Sequence, residues 1–305
     1  MHEGSRKAII AAFFANLGIA VAKFTGFLLT GSAGLLAESG HSVADTGNQG
    51  LLLFGSKRGR RPADLAHPFG YGPERYFWSF VVALVLFSMG GLFALYEGIQ
   101  KLSDPHEIES AGIAYGILGI SIALETFSLR TAVKEANHVR HGRSWWNFIR
   151  TAKAPELPVV LLEDIGAETG LILALGGLIT AEATGDPRWD SIGSIAIGVL
   201  LVIIAAILAV EMKGLLIGES ASDENLNAIG ASLTASTNVR SVIHLRTMHL
   251  SPDQLLVAAK IEFDHDLTIA GLAKAIDGVE ADLRAAVPIA HTIYIEPDIL
   301  RESAS

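Results

Sequence analysis

The 305-residue sequence predicts an α-helical membrane protein with six transmembrane helices, followed by a small α+β domain. Three observations carry this prediction. Half of the residues are hydrophobic and only 18% are charged, below the roughly 25% of a typical soluble domain. Six mostly apolar stretches each reach the ~20 residues that a helix needs to cross the hydrocarbon of a bilayer. From about Lys213 the pattern changes to a soluble one, which divides the chain into residues 1–212 and 213–305.

The first stretch, Ala8–Leu29, follows Met1-His2-Glu3-Gly4-Ser5-Arg6-Lys7 with no small-residue cleavage site. It is expected to be a retained helix rather than a removed signal peptide. The others are Ser32–Gly55, Tyr76–Leu102, Ala111–Val133, Leu157–Ala181 and Ser191–Met212. Thr30-Gly31 joins the first pair, and Thr184-Gly185-Asp186-Pro187 joins the last. Cationic residues orient the set. Arg6, Lys7, Lys57, Arg58, Arg60, Arg61, Arg75, Arg130, Lys134, Arg140, Arg143, Arg150 and Lys153 fall on one side, and Lys101 and Arg188 on the other. The cation-rich side is the cytoplasmic one, so both termini are expected there, in the plasma or inner membrane if the source is bacterial. His138–Lys153, basic and carrying Trp145, Trp146 and Phe148, suits a helix lying in the cytoplasmic interface.

The soluble part reads as αββαβ. Ser222-Asp223-Glu224 opens a helix with acidic residues in its first turn. Val239–Leu250 and Leu255–Phe263 read as strands around Ser251-Pro252-Asp253. In the second strand Val257, Ala259, Ile261 and Phe263 alternate with Ala258, Lys260 and Glu262, giving one buried face. Thr268 opens a helix with Ile269, Leu272, Ile276, Val279 and Leu283 at helical spacing, and Thr292–Glu296 supplies a third strand.

Two short stretches place ionisable groups inside the spans: His41-Ser42-Val43-Ala44-Asp45 and Glu163-Asp164-Ile165-Gly166-Ala167-Glu168. Such groups at membrane depth are costly unless paired, hydrated or bound to an ion. His41 and Asp45, like Asp164 and Glu168, stand four residues apart, one above the other on a helix face. Two such faces meeting at the midplane would make a cage of imidazole and carboxylate, which suits a divalent metal. Glu38, His41, Asp45 and Asn48 form one stripe, in which Glu38 is expected to orient the His41 imidazole or act as a gate. Lys23, Glu97 and Glu125 are expected to form ion pairs inside the bundle. The chain has no cysteine, so thiol chemistry and disulfides are excluded.

Leu35-Leu36-Ala37-Glu38-Ser39-Gly40-His41-Ser42-Val43-Ala44-Asp45, His67-Pro68-Phe69-Gly70-Tyr71-Gly72 and Leu161-Leu162-Glu163-Asp164 resemble the cation diffusion facilitator family, closest to its zinc-transporter-9-like branch. Asp45-Thr46-Gly47-Asn48-Gln49-Gly50-Leu51-Leu52 and Pro105 with Ile108-Glu109-Ser110 share the resemblance. It implies six transmembrane helices and a cytoplasmic ferredoxin-like domain, assembled as a homodimer. It also implies a secondary transporter that exports divalent metal from the cytoplasm in exchange for protons, by alternating access. His41, Asp45 and Asp164 match the transport-site ligands. Many members carry His four residues before the Asp, where this chain has Val160; Glu168, one turn after, is the expected substitute. Glu163 lies about 100° around the helix from Asp164, where it is a gate, a proton carrier or a packing group. In the loop between the second and third helices, Asp64 and His67 match a further metal site, but Tyr71 replaces its second His. Lys260 and Ile295 stand at metal-ligand positions of the cytoplasmic domain, leaving His244, His249, His265 and His291 as surface candidates.

The expected cargo is zinc, with manganese, iron(II) or cobalt as alternatives, and no prosthetic group is expected. Membrane lipid, divalent metal, protons and a second copy are the expected partners, and nucleic acid is not. A manganese- or iron(II)-preferring exporter and a non-transporting metal-sensing scaffold are the rival readings. An enzyme is not expected, because the spans lack His-Glu-x-x-His and a Ser-His pair.

Overall fold

All six apolar stretches are helical in the computed structural model, which describes residues 3–105, 111–140 and 142–301, with side chains from Asn16 onward. Ile108-Glu109-Ser110 and the side chains of Arg6 and Lys7 lie outside the described residues. The chain divides into two compact units, Met1–Arg58 with Glu74–Lys213, and Gly59–Pro73 with Gly214–Ser305. The loop Gly59–Pro73 thus groups with the C-terminal unit, not with the helices that flank it in sequence.

The first unit contains α1 (Glu3–Thr30), α2 (Ala33–Arg58), α3 (Glu74–Val85), α4 (Phe93–Ser103), α5 (Ala111–Val139), α6 (Trp145–Thr151), α7 (Glu156–Thr184) and α8 (Arg188–Ile217). Among the described residues, three helical segments are long and apolar enough to cross a membrane: Glu74–Ser103, Ala111–Val139 and Arg188–Ile217. Asn16–Thr30 is a shorter apolar helix. α2 and α7 are not among these three, and both carry charged residues within their length: Glu38, Asp45, Lys57 and Arg58 on one, and Glu163, Asp164 and Glu168 on the other. Large apolar side chains such as Ile120, Phe127 and Val210 stand exposed on the outer faces, where lipid supplies the apolar environment.

The predicted span Tyr76–Leu102 departs from a regular helix. A π-helical segment, Leu86–Leu92, separates α3 from α4. Beside it α8 comes to backbone contact, since a Cβ on Gly198 would stand 2.8 Å from the Leu95 nitrogen and 2.9 Å from the Gly91 carbonyl oxygen. Small residues allow this approach. The Ser194 hydroxyl adds a 3.0 Å hydrogen bond to the Ala94 carbonyl. The interfacial segment holds α6, whose N-cap Ser144 accepts from the Asn147 amide. Phe148 and Ile149 of α6 are buried, while Trp146 is exposed and Trp145 lies under the Arg140 guanidinium at 4.5 Å.

The second unit has the predicted order: α9 (Asp223–Ala235), β1 (Val239–Ser251), β2 (Gln254–Phe263), α10 (Ile269–Ala286) and β3 (Thr292–Pro297). β2 is central, antiparallel to β1 and parallel to β3. Ser222 and Thr268 cap the two helices through their hydroxyls. Val257, Ala259, Ile261 and Phe263 are buried against Ile229, Leu233, Val279 and Leu283, so the period-2 face is the core face. This unit therefore has its own apolar core.

Candidate metal site

The site starts from the stripe on α2. Spacings of three and four residues turn Glu38, His41, Asp45 and Asn48 inward, all buried except Asp45, whose side chain is 14% exposed. His41 Nε2 lies 3.5 Å from Asp45 Oδ2. Both His41 ring nitrogens and Asp45 Oδ1 are buried without a hydrogen-bond partner among the described residues. Each such atom carries a desolvation cost of about 1–3 kcal/mol, a pattern that fits groups waiting for a ligand. The π-helical segment lines the same place, since a Cβ on Gly90 would stand 3.9 Å from His41 Nδ1.

α7 carries the facing carboxylates. Glu163 turns to α2, where Oε1 accepts a 2.6 Å hydrogen bond from Asn48 Nδ2. Asp164 and Glu168 turn to α5. Asp164 Oδ2 accepts from the Ser128 hydroxyl at 3.0 Å, and Glu168 Oε1 accepts from the Thr126 hydroxyl at 2.8 Å. Glu168 Oε2 is buried without a partner among the described residues. The angular offset between adjacent helix positions separates Glu163 from Asp164 in this way. His41 and Asp45 are therefore brought together directly, while Asp164 and Glu168 are held by α5 hydroxyls. Among the described residues, no three His, Asp or Glu side chains converge on one point.

Two expectations change. Glu38 does not orient His41, because its carboxylate pairs with Lys23, whose Nζ stands 3.0 Å from Glu38 Oε2. Lys23 therefore pairs with neither Glu97 nor Glu125 through a hydrogen bond, and Glu97 lies 3.5 Å from Lys101 instead. Sequence reasoning missed Ser42, Ser128 and Thr126, which act as neutral partners to the charges. Small hydroxyl residues are too common in helices to announce such a role.

In the second unit, Tyr71 occupies an oxygen of Asp64. Its hydroxyl donates to Asp64 Oδ2 at 2.7 Å, and the Ala66 and His67 amides donate to Oδ1. The Tyr71 hydrogen bond, then the His67 amide, hold the Asp64 carboxyl below its ordinary pKa. His67 packs its ring 4.2 Å from that of Tyr71. In the sheet, Lys260 Nζ lies 2.9 Å from Glu296 and 3.0 Å from Asp298. His265 sits between Arg240 and Glu262, both at 3.3 Å. His244 and His291 are exposed, but His249 is buried, with Nδ1 3.2 Å from the Ser251 carbonyl oxygen. His249 is thus a packing residue of the β1 end and not a surface candidate.

Comparison with known proteins follows the two units. Residues 9–217 match the family described as Cation efflux transmembrane domain, and residues 221–298 match Cation efflux protein, cytoplasmic domain. The human proton-coupled zinc antiporter SLC30A9, mitochondrial, is 32% identical over 264 residues, covering 86% of this chain and 46% of the relative. Metal tolerance protein C4 of Arabidopsis thaliana is 30% identical over 277 residues, covering 89% and 60%. Magnetosome protein MamB of Magnetospira sp. (strain QH-2) is 24% identical over 288 residues, covering 93% and 92%. The chain spans about half the length of the SLC30A9 relatives it matches.

Proposed function

Because this chain belongs to the cation efflux family, we propose that it is a secondary transporter exporting zinc from the cytoplasm in exchange for protons, by alternating access. It does so as a homodimer of six-span protomers with cytoplasmic termini, and not as an enzyme. Residues 1–212 carry transport and residues 213–305 dimerise. The similarity to SLC30A9, a protein named for proton-coupled zinc antiport, supports the choice of ion and of coupling.

The observation that carries this reading is the His41–Asp45 pair, 3.5 Å apart and buried, with open ligand atoms on both residues. His41, Asp45, Asp164 and Glu168 are the proposed ligands. An imidazole with carboxylates gives the four-coordinate nitrogen and oxygen set that zinc accepts. Binding draws Asp164 away from Ser128 and Glu168 away from Thr126, so metal entry repacks the α5–α7 contact. That repacking is the proposed link between occupancy and alternating access. Ligands must be deprotonated to hold metal, so metal and protons displace each other at one site.

Val160 supports a second reading, a manganese- or iron(II)-preferring exporter. With no imidazole at this position of α7, oxygen outweighs nitrogen, and oxygen ligands favour harder ions. Metal uptake into sealed inside-out vesicles, with a panel of metals under an imposed pH gradient, separates the readings. Asp45→Ala and Asp164→Ala are each expected to abolish flux in a folded dimer. Wild-type flux in either variant removes that residue from the site, and flux independent of the gradient removes proton coupling.

A further inference from the structure

Lys23 stands in an apolar helix and its side chain is fully buried. Its ammonium donates to Glu38 Oε2 at 3.0 Å and to Ser42 Oγ at 2.9 Å. Ser42 directly follows His41, and Glu38 precedes His41 by three residues, so the pair adjoins the proposed ligands. A buried ion pair is weak grounds for stability, because a well-packed apolar pair of similar volume often serves as well. The position of this pair points to another role.

Glu38 is only half committed. Its Oε1 is buried without a hydrogen-bond partner among the described residues. That atom faces Gly170 of α7 so closely that a Cβ there would collide with it. Gly170 lies two residues beyond Glu168 and six beyond Asp164. Glu38 therefore occupies the seam between the two helices that carry the proposed ligands, with one oxygen open.

Asp45, Asp164 and Glu168 already offer more negative charge than a divalent cation needs. Adding Glu38 would deepen the site, since affinity in oxygen-rich sites follows the number of charged ligands and their rigidity. A transporter must also release its cargo. We propose that Lys23 is a tethered cation that withholds the Glu38 carboxylate from the transported metal, setting affinity low enough for release. This rests on His41, Asp45 and Asp164 being ligands. Lys23 acts through Glu38 and is a positioning residue, not a ligand.

The test uses the 305-residue chain in lipid nanodiscs, with zinc Kd from calorimetry at fixed pH and KM and kcat from vesicle flux. Lys23→Met frees Glu38 and is expected to lower the zinc Kd about tenfold while kcat falls, since affinity rises with the number of charged ligands. Glu38→Gln leaves the ammonium unopposed beside the site and is expected to raise Kd about tenfold by repulsion of the divalent ion. The double variant Lys23→Met/Glu38→Gln is expected to return both quantities towards wild type. A packing role alone would lower the melting temperature of the single variants and leave Kd untouched, and that result overturns the proposal. Should Lys23→Met fail to fold, Glu38→Gln and the double variant decide the matter. Asp45→Ala and Asp164→Ala serve as the separate check. If they bind zinc as wild type does, the ligand reading is what fails; if they lose zinc while the Lys23 and Glu38 variants match wild type, only the role of Lys23 fails.

Discussion

The Asp190 carboxylate, in the first turn of α8, accepts a 2.8 Å hydrogen bond from the Ser32 hydroxyl, 158 residues away in sequence. It also accepts from the Ala33 amide at 2.5 Å and from the Gly34 amide at 3.4 Å. These are first amides of α2, which have no partner within their own helix. A carboxylate there also meets the positive end of the helix dipole. The helix that carries His41 and Asp45 is thus capped by a residue from another helix.

Asp190→Ala is expected to destabilise the helical unit by about 1–3 kcal/mol, the range for losing a cap and leaving buried amides unpaired. Asp190→Asn, which keeps one acceptor oxygen, should lose less. Thermal unfolding in detergent measures both, and an unchanged Asp190→Ala would show that water caps α2 equally well.

The 2.6 Å bond from Asn48 to Glu163 fixes α2 against α7 below the proposed site. Asn48→Leu leaves a buried carboxylate without its donor, at a cost of about 1–3 kcal/mol. A double-mutant cycle with Glu163→Leu should give a coupling of roughly 0.5–3 kcal/mol. A coupling near zero would mean that the two side chains act independently.

Val160 leaves the α7 side of the proposed site without nitrogen. Val160→His is therefore expected to raise zinc flux relative to manganese flux several-fold, as imidazole suits zinc and carboxylate suits manganese. Competition flux in vesicles reads the ratio. Strict exclusion of manganese by the wild type would show that oxygen character does not set selectivity here.

The Lys260 ion pairs give the C-terminal unit a defined pH profile. Hydrogen bonds from Lys260 hold Asp298 below its ordinary pKa, and Glu296 and Asp298 raise that of Lys260. A lowered carboxylate contributes stability above its unfolded pKa of about 4, and that stability is lost as pH falls through the folded value. The raised Lys260 contributes below its unfolded value of about 10.4 and loses this as pH rises through its folded one. The difference in melting temperature between wild type and Lys260→Met should therefore shrink from about pH 5 down to 2. It should shrink in high salt as well, since these groups are exposed to solvent. A difference constant with pH and salt would mean that Lys260 acts through its methylenes alone.

The fragment from Lys213 to Ser305, which has its own core, is expected to be dimeric in chelator. Lys260 already pairs with both Glu296 and Asp298, and its charge repels a divalent ion. Added zinc should raise the melting temperature only slightly, because stabilisation needs ligand well above its Kd for the folded state. Sedimentation of a monomer that dimerises on stoichiometric zinc would return metal sensing to this domain.

Local pattern made the helices, the αββαβ order and the inward stripe of α2 legible, because period 3.6 and period 2 are properties of neighbouring residues. The face of β2 through Val257, Ala259, Ile261 and Phe263 needed only alternation to be read, and the spacing of His41 and Asp45 only one helical turn. The π-helical segment at Leu86–Leu92 escaped such reading, as did the close approach of α8 to this part of the chain at Gly198 and Leu95. Partner choice escaped as well. Lys23 could have met Glu38, Glu97 or Glu125, and Asp190 had no visible role, because a long side chain takes whichever partner packing brings within about 3 Å. The sequence by itself thus determined which helices carry charge into the membrane and on which face. Only the tertiary structure decided which charges pair with one another and which buried atoms stay without a hydrogen-bond partner, because burial removes water as the default partner and leaves geometry to assign the bonds.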